Sequence, residues 1–281
     1  MEIAVNGTRL WFDVEGAALV PDGAAMALRP SLLLVHGGPG GYDHSYFKPH
    51  FAALARVAQV VYVDLRDHGR SARHPVADWS FELCADDLAA FCAALGLVRP
   101  VVLGHSMGGF VALLLAARHP DLAGGLVAQS TMVRFDLERL AAGVRRVAGD
   151  EVAELARRDY AGDLVSDDEW ARIFAAFGPV VPDAQALARR IRNPELGLHG
   201  MNLMRRLDLT GELARVRCPV LVSVGALDGI TPVEAAREIA AALPPGLGRL
   251  DVLEGAGHFP WLDRPDAYWT LLSDFVTSPR R

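Results

Sequence analysis

The chain has 281 residues, with 28 Lys plus Arg against 34 Asp plus Glu for a net charge of −6; 51% of its residues are hydrophobic and 22% charged. That length suits one large domain or a domain carrying an insert, and the composition is that of a folded chain rather than a disordered one. The mild acidity gives no global attraction to nucleic acid or to an anionic membrane, and the single lysine, Lys48, leaves almost no candidate for Schiff-base chemistry or a lysine-bearing phosphate loop.

In chain order, residues 2–5 and 8–14 are strand-like and flank Asn6-Gly7, the strongest short hairpin signal. Continuously apolar runs then recur at Leu32 to Val35, Val57 to Val63, Val101 to Leu103, Gly125 to Ala128, Val220 to Val224 and Leu250 to Leu253. Strands without polar alternation are buried on both faces, the condition of a parallel sheet covered by helices. Phe81, Cys84, Leu88, Phe91 and Leu95 step by three and four between Ser80, an N-cap, and Gly96, a stop; Tyr268, Leu271, Leu272, Phe275 and Val276 repeat the pattern. Alternating strands and helices predict an α/β class with a mostly parallel central sheet and helices on both faces.

From about Thr131 to Gly211 the rhythm changes to helical patterns alone. Ser166 to Glu169 is a capping box that Val165 and Trp170 staple, and Pro182 and Asn193-Pro194 punctuate further short helices. The expected division is a core over 1–130, a helical cap inserted over 131–211, and the rest of the core over 212–281. The Arg pairs of the cap (145–146, 157–158, 189–190, 205–206) read as solvated helix faces. Cys84, Cys92 and Cys218 are an odd number with no C-x-x-C spacing, so neither a disulfide framework nor a structural zinc is expected. The N-terminus lacks the basic and apolar regions of a signal peptide, and no apolar run approaches a membrane span; a soluble, cytoplasmic protein is expected.

The chemistry concentrates in four separated motifs. Gly104-His105-Ser106-Met107-Gly108 follows a strand and precedes an apolar helical run, the context of a G-x-S-x-G nucleophile elbow with Ser106 as nucleophile. A serine needs a base, and of nine histidines His258 sits in a glycine-flanked loop after the last strand. The base needs a carboxylate, and Asp228 follows the strand Val220 to Val224 directly; Asp251 inside a strand and Asp208 in the insert suit the role less well. His36-Gly37-Gly38-Pro39-Gly40-Gly41 follows an early strand, and its Gly38 N–H together with that of Met107 would form an oxyanion hole. His36, Trp170, Phe174, Phe177 and Trp261 are candidate pocket residues. No metal or nucleotide motif is present: no H-E-x-x-H, no G-x-x-x-x-G-K and no G-x-G-x-x-G. No cofactor is expected; the partner is a small-molecule substrate, and the oligomeric state is not legible.

With those motifs in that order, the chain resembles the α/β-hydrolase superfamily over essentially its whole length. His-Gly-Gly-Pro-Gly is similar to the proline iminopeptidase branch, in which that loop supplies part of the oxyanion hole. Asp64 to Ser71 resembles the turn after a central strand in many members, departing from the iminopeptidase pattern at Leu65 and Asp67. Gly-His-Ser-Met-Gly is similar to esterases and lipases, and Glu195 is the nearest counterpart of the acids that hold a substrate's free amino terminus. The resemblance implies a serine hydrolase working through an acyl-enzyme on a small to medium ester or amide. Iminopeptidase activity, carbon–carbon or lactone hydrolysis on the same triad, and a non-enzymatic receptor on this fold are the alternatives.

Overall fold

The computed structural model describes residues 1–163, 165–180 and 184–278; Pro182 lies outside them. Strands β1 (Glu2–Val5) and β2 (Thr8–Glu15) pair antiparallel as the expected hairpin. Asn6 and Gly7 both take positive φ (44° and 73°), the two-residue turn whose twist matches its strands. A second hairpin, β3 (Leu19–Asp22) with β4 (Ala25–Leu28), forms a separate two-stranded sheet. The sequence reading passes over it because its residues are mostly exposed, so no one-sided apolar pattern marks it.

Six more strands complete the main sheet: β5 (Ser31–Val35), β6 (Gln59–Val63), β7 (Val101–His105), β8 (Gly125–Gln129), β9 (Val220–Gly225) and β10 (Gly248–Leu253). The order is β1-β2-β6-β5-β7-β8-β9-β10, parallel from β6 to β10, with β1 and β2 antiparallel at one edge. Both faces are covered, which is why the strands read as unbroken apolar runs. Leu33, Val35, Val61 and Val63 enter one core with Phe91 and Phe110, while Leu32, Leu34, Val60 and Tyr62 enter the other with Phe51 and Tyr268.

Helix α1 (Lys48–Phe51) precedes β6, and α2 (Phe81–Ala94) follows it, capped by Ser80, which accepts the Leu83 N–H, and ended by Gly96 at φ 65°. Helix α3 (Met107–Arg118) runs from the end of β7. Between β8 and β9 the chain makes α4 (Leu137–Ala161, broken at Gly149), α5 (Asp167–Ile173), a 3-10 turn at Phe174–Phe177, α6 (Ala184–Ala188) and α7 (Pro194–Met204). Its base is closed by an antiparallel bridge between Arg134 and Asp208, with Phe135 N–H to Leu207 O and Leu209 N–H to Val133 O. The Ser166–Glu169 capping box is formed from both sides. Several of the paired arginines lie on exposed faces against carboxylates, among them Arg145–Asp150, Arg157–Glu138 and Arg158–Glu169. Helices α8 (Val233–Ala242), α9 (Pro260–Asp263) and α10 (Pro265–Thr277) finish the chain. No helix among the described residues is long and apolar enough to cross a membrane.

One buried ion pair joins three of these parts. Arg66 meets Asp87 of α2 through two bonds of 2.7 and 2.8 Å, and both partners also bond Asn6 of the first hairpin. Removing one member of a buried pair strands the other charge, at about 3–5 kcal/mol. Asp87→Ala is expected to lower the stability read from urea unfolding by that amount, and Arg66→Leu combined with Asp87→Leu to recover much of the loss.

Candidate active site

The elbow is built by crowding. Ser106 stands between β7 and α3 at φ 55° and ψ −122°, a conformation a side chain adopts only under constraint. A Cβ on Gly104 would meet Gly108 O at 2.3 Å, and one on Gly108 would meet Val35 O at 2.2 Å, so both positions admit only glycine. The turn leaves Ser106 at the N-terminus of α3. Met107, the first helical residue, has an amide with no intrahelical acceptor.

Asp228 is fully buried in the turn after β9. One carboxylate oxygen accepts the N–H groups of Ile230 (3.0 Å) and Thr231 (2.8 Å); the other accepts the Thr231 hydroxyl (2.7 Å) and His258 Nδ1–H (2.8 Å). A carboxylate in this position fixes the imidazole tautomer and leaves Nε2 as the basic nitrogen. The Phe174–Phe177 turn of the inserted segment fastens both loops: Ala176 O accepts Gly229 N–H at 2.9 Å, and Phe177 O accepts His258 N–H at 2.6 Å.

The glycine loop after β5 lies beside the serine. A Cβ on Gly37 would come within 3.3 Å of Ser106 Cβ, and one on Gly38 within 3.3 Å of Met107 Sδ, so Gly38 and Met107 are neighbours. A chain of hydrogen bonds ties this loop to His258. Gly37 N–H donates to Tyr46 Oη (2.9 Å), Tyr46 bonds His105 Nδ1 (2.9 Å), and His105 Nε2–H donates to the carbonyl of His258 (2.9 Å). Burial pushes the His105 pKa well below its usual value and the Tyr46 pKa well above its own, so both rings are neutral at pH 7. His36 is also buried and neutral; its Nδ1–H donates to Gly37 O and its Nε2 accepts Leu65 N–H.

A cavity of about 660 Å³ opens over these groups and reaches Ser106, His258 and Gly38. Of the five candidate pocket residues, Trp170 and Phe177 line it. His36, Phe174 and Trp261 do not. His36 is turned into the loop it braces, Phe174 stacks behind on Phe177 (4.9 Å), and Trp261 packs under the elbow on His105 (4.9 Å). Glu195 is exposed on the first turn of α7; the carboxylates at the cavity wall are Asp159 and Asp163. Burial raises the Asp159 pKa, opposed by Arg205, which bonds the carbonyls of Tyr160 and Asp159.

Tyr46 and Thr231 escape the sequence reading. Thr231 is three residues beyond Asp228, where a hydroxyl serves an aspartate turn, and that spacing is a usable signal. Tyr46 has none, since only the fold carries its hydroxyl to His105. Among the described residues, Asp43, His44 and Asp64 are the one group close enough to ligate a metal ion. Their polar atoms bond protein groups instead: Asp64 takes the His44 ring and the amides of His44 and Arg70, and Asp43 takes the amides of Ser45 and Ile191.

The buried histidines make stability depend on pH. His36, His68 and His105 all have folded pKa values below the unfolded value of about 6.5, that of His68 falling to about 3. Above pH 6.5 neither state holds the proton and stability is full; below it the unfolded chain takes up protons that the folded chain refuses. Each histidine then removes up to about 1.4 kcal/mol per pH unit. Urea midpoints are expected to fall between pH 7 and pH 5; a flat profile contradicts buried neutral rings.

Comparison with known proteins agrees with this architecture. A family model described as the alpha/beta hydrolase fold matches residues 30–265. The chain is 26% identical over 251 residues to a pimeloyl-[acyl-carrier protein] methyl ester esterase of Aliivibrio salmonicida, covering 87% of this chain and 91% of that one. Among solved structures it resembles the proline iminopeptidase of Mycobacterium smegmatis (TM-score 0.78, 23% identity, 98% and 97% coverage), a likeness of fold. It is also similar to a proline iminopeptidase-related protein of Thermus thermophilus (TM-score 0.77, 26% identity, 98% and 96% coverage). The chain belongs to the α/β-hydrolase family of enzymes.

Proposed function

We propose that the protein is a serine hydrolase acting on carboxylic esters through an acyl-enzyme. The observation that carries this reading is one cavity shared by the strained Ser106 and by His258, whose Nδ1 is bonded to the buried Asp228. In this reading His258 Nε2 removes the Ser106 proton as Oγ attacks the ester carbonyl. The Gly38 and Met107 amides hold the tetrahedral oxyanion, each such donor contributing about 3–4 kcal/mol. His258 then protonates the departing alkoxide and activates the water that releases the acid. Asp228 stays ionised throughout and stabilises the imidazolium.

The aromatic and aliphatic wall (Tyr42, Trp170, Phe177, Ile230, Phe259) suits an apolar acyl or alcohol group of small to medium size. Residues 131–211, which supply Trp170, Phe177 and the face of α7, act as a cap over the core at 1–130 and 212–281. Asp159 and Asp163 at the wall favour a second reading, cleavage of substrates with a free amino group as in an iminopeptidase.

Initial rates on a p-nitrophenyl ester and on a prolyl p-nitroanilide separate the two. Ester cleavage alone is the expected result, and anilide cleavage at comparable efficiency establishes the second reading. Ser106→Ala is expected to lower kcat by about 10⁶-fold and Asp228→Asn by about 10⁴-fold, with the fold retained by circular dichroism. Turnover that survives Ser106→Ala rejects the serine mechanism.

A further inference from the structure

The glycine loop that carries Gly38 is braced at its start by its own His36, whose Nδ1–H holds Gly37 O at 2.7 Å, but Gly40 on its far side has no such side chain beside it. Gly38 and Gly40 both take positive φ (153° and 63°), where glycine has no preference of its own, so bonds from outside the loop must set the direction of the Gly40 amide. One of these bonds comes from His68, in the turn after β6. Its ring is buried, and Nδ1 lies 2.9 Å from Arg66 O; a carbonyl only accepts, so Nδ1 carries the proton. Nε2 is therefore a free lone pair, and it accepts Gly40 N–H at 3.0 Å. The same Nε2 would lie 3.3 Å from a Cβ on Gly38, so the ring sits directly against the loop at both glycines. The other contacts on Gly40 come from the inserted segment: Asn193 N–H donates to Gly40 O at 2.7 Å, and Asn193 Nδ2 donates to Asp67 O beside His68.

We propose that His68 is a positioning residue for the oxyanion hole: by accepting Gly40 N–H it anchors the far side of the glycine loop, as His36 anchors Gly37 O on the near side, and between these two anchors Gly38 N–H is held toward the developing oxyanion. This rests on the serine-hydrolase reading of the site. The ring faces His36 (4.9 Å between centroids) and Trp79 (6.0 Å), with Asp64 and Arg73 the charged groups that act on it. Burial, followed by His36, holds its pKa at about 3, so the lone pair stays available at neutral pH. A protonated ring would present a second N–H to the Gly40 amide and release the loop.

Two substitutions in the full chain divide the ring's functions. His68→Gln keeps an acceptor near the place of Nε2, whereas His68→Asn keeps only the donor toward Arg66 O. The probes are a p-nitrophenyl alkylphosphonate, which phosphonylates an activated serine, and a p-nitrophenyl ester. His68→Asn is expected to slow phosphonylation and kcat by about 100-fold, the scale of a misplaced catalytic group. KM should stay within about threefold of wild type, and His68→Gln should recover most of the rate. Equal losses in both variants, a loss confined to KM, or an unchanged rate in His68→Asn overturns the proposal. Should neither variant fold, long-range ¹H–¹⁵N spectra of the wild type decide: a neutral ring protonated at Nδ1 near pH 7 is required, and any other state overturns it. A wild-type Ser106 that no phosphonate labels removes the hydrolase reading and this inference with it. A labelled wild type with an indifferent Asn variant removes the inference alone.

Discussion

The site depends on one close approach, the backbone of α3 running against the end of β5. With hydrogen atoms alone at Gly104 and Gly108, the helix starts where Val35 O and His36 O would otherwise exclude it. That contact forces Ser106 into its positive-φ corner, at a cost of about 1–3 kcal/mol, and brings Gly37 against the serine. Two chain segments far apart in sequence thus become neighbours, Gly38 beside Met107 and Gly37 beside Ser106. Sheet burial on both faces offsets the strain, because the strands that carry these loops cannot shift without opening two cores.

Around that contact the protein places neutral polar rings where a salt bridge would be costly. His36, His68, His105 and Tyr46 are all buried, and each directs its donor and acceptor at named partners, most of them main-chain groups. A buried polar group without a partner costs about 1–3 kcal/mol, so these rings favour one arrangement of the loops over its neighbours. The route from Gly37 through Tyr46 and His105 to the His258 carbonyl links the glycine loop to the His258 loop without passing through solvent. The His105 ring is turned to Tyr46 and to the His258 carbonyl, and so braces the loop on which His258 stands.

Much of this is legible in the sequence. The six core strands, the hairpin at Asn6-Gly7, the helices at Phe81 and Tyr268, and the helical character of the stretch between β8 and β9 follow from periodicity and turn residues. The Ser106, Asp228 and His258 loops follow strands, and a strand end fixes where a loop begins. Side-chain direction within the loops is not legible: His36 turns inward to brace its own loop, and Trp261 lies under the elbow rather than over it, because the packing of distant segments decides both. The β3–β4 hairpin escapes for the opposite reason, since its exposed strands bury too little to leave a pattern.

The 3-10 turn at Phe174–Phe177 bears on how this enzyme can diversify. It belongs to the inserted segment, yet its carbonyls satisfy amides in the loops of Asp228 and His258, and Gly178 meets Gly257 so closely that neither tolerates a methyl group. Wholesale exchange of the segment for that of a distant homologue would therefore remove two fastenings of the Asp228 and His258 loops along with the wall of the cavity. New selectivity is more accessible through single changes on the inward faces of α5 and α7, such as Trp170, Leu198 or Met201. The segment is in this sense a fixed pin with a replaceable face.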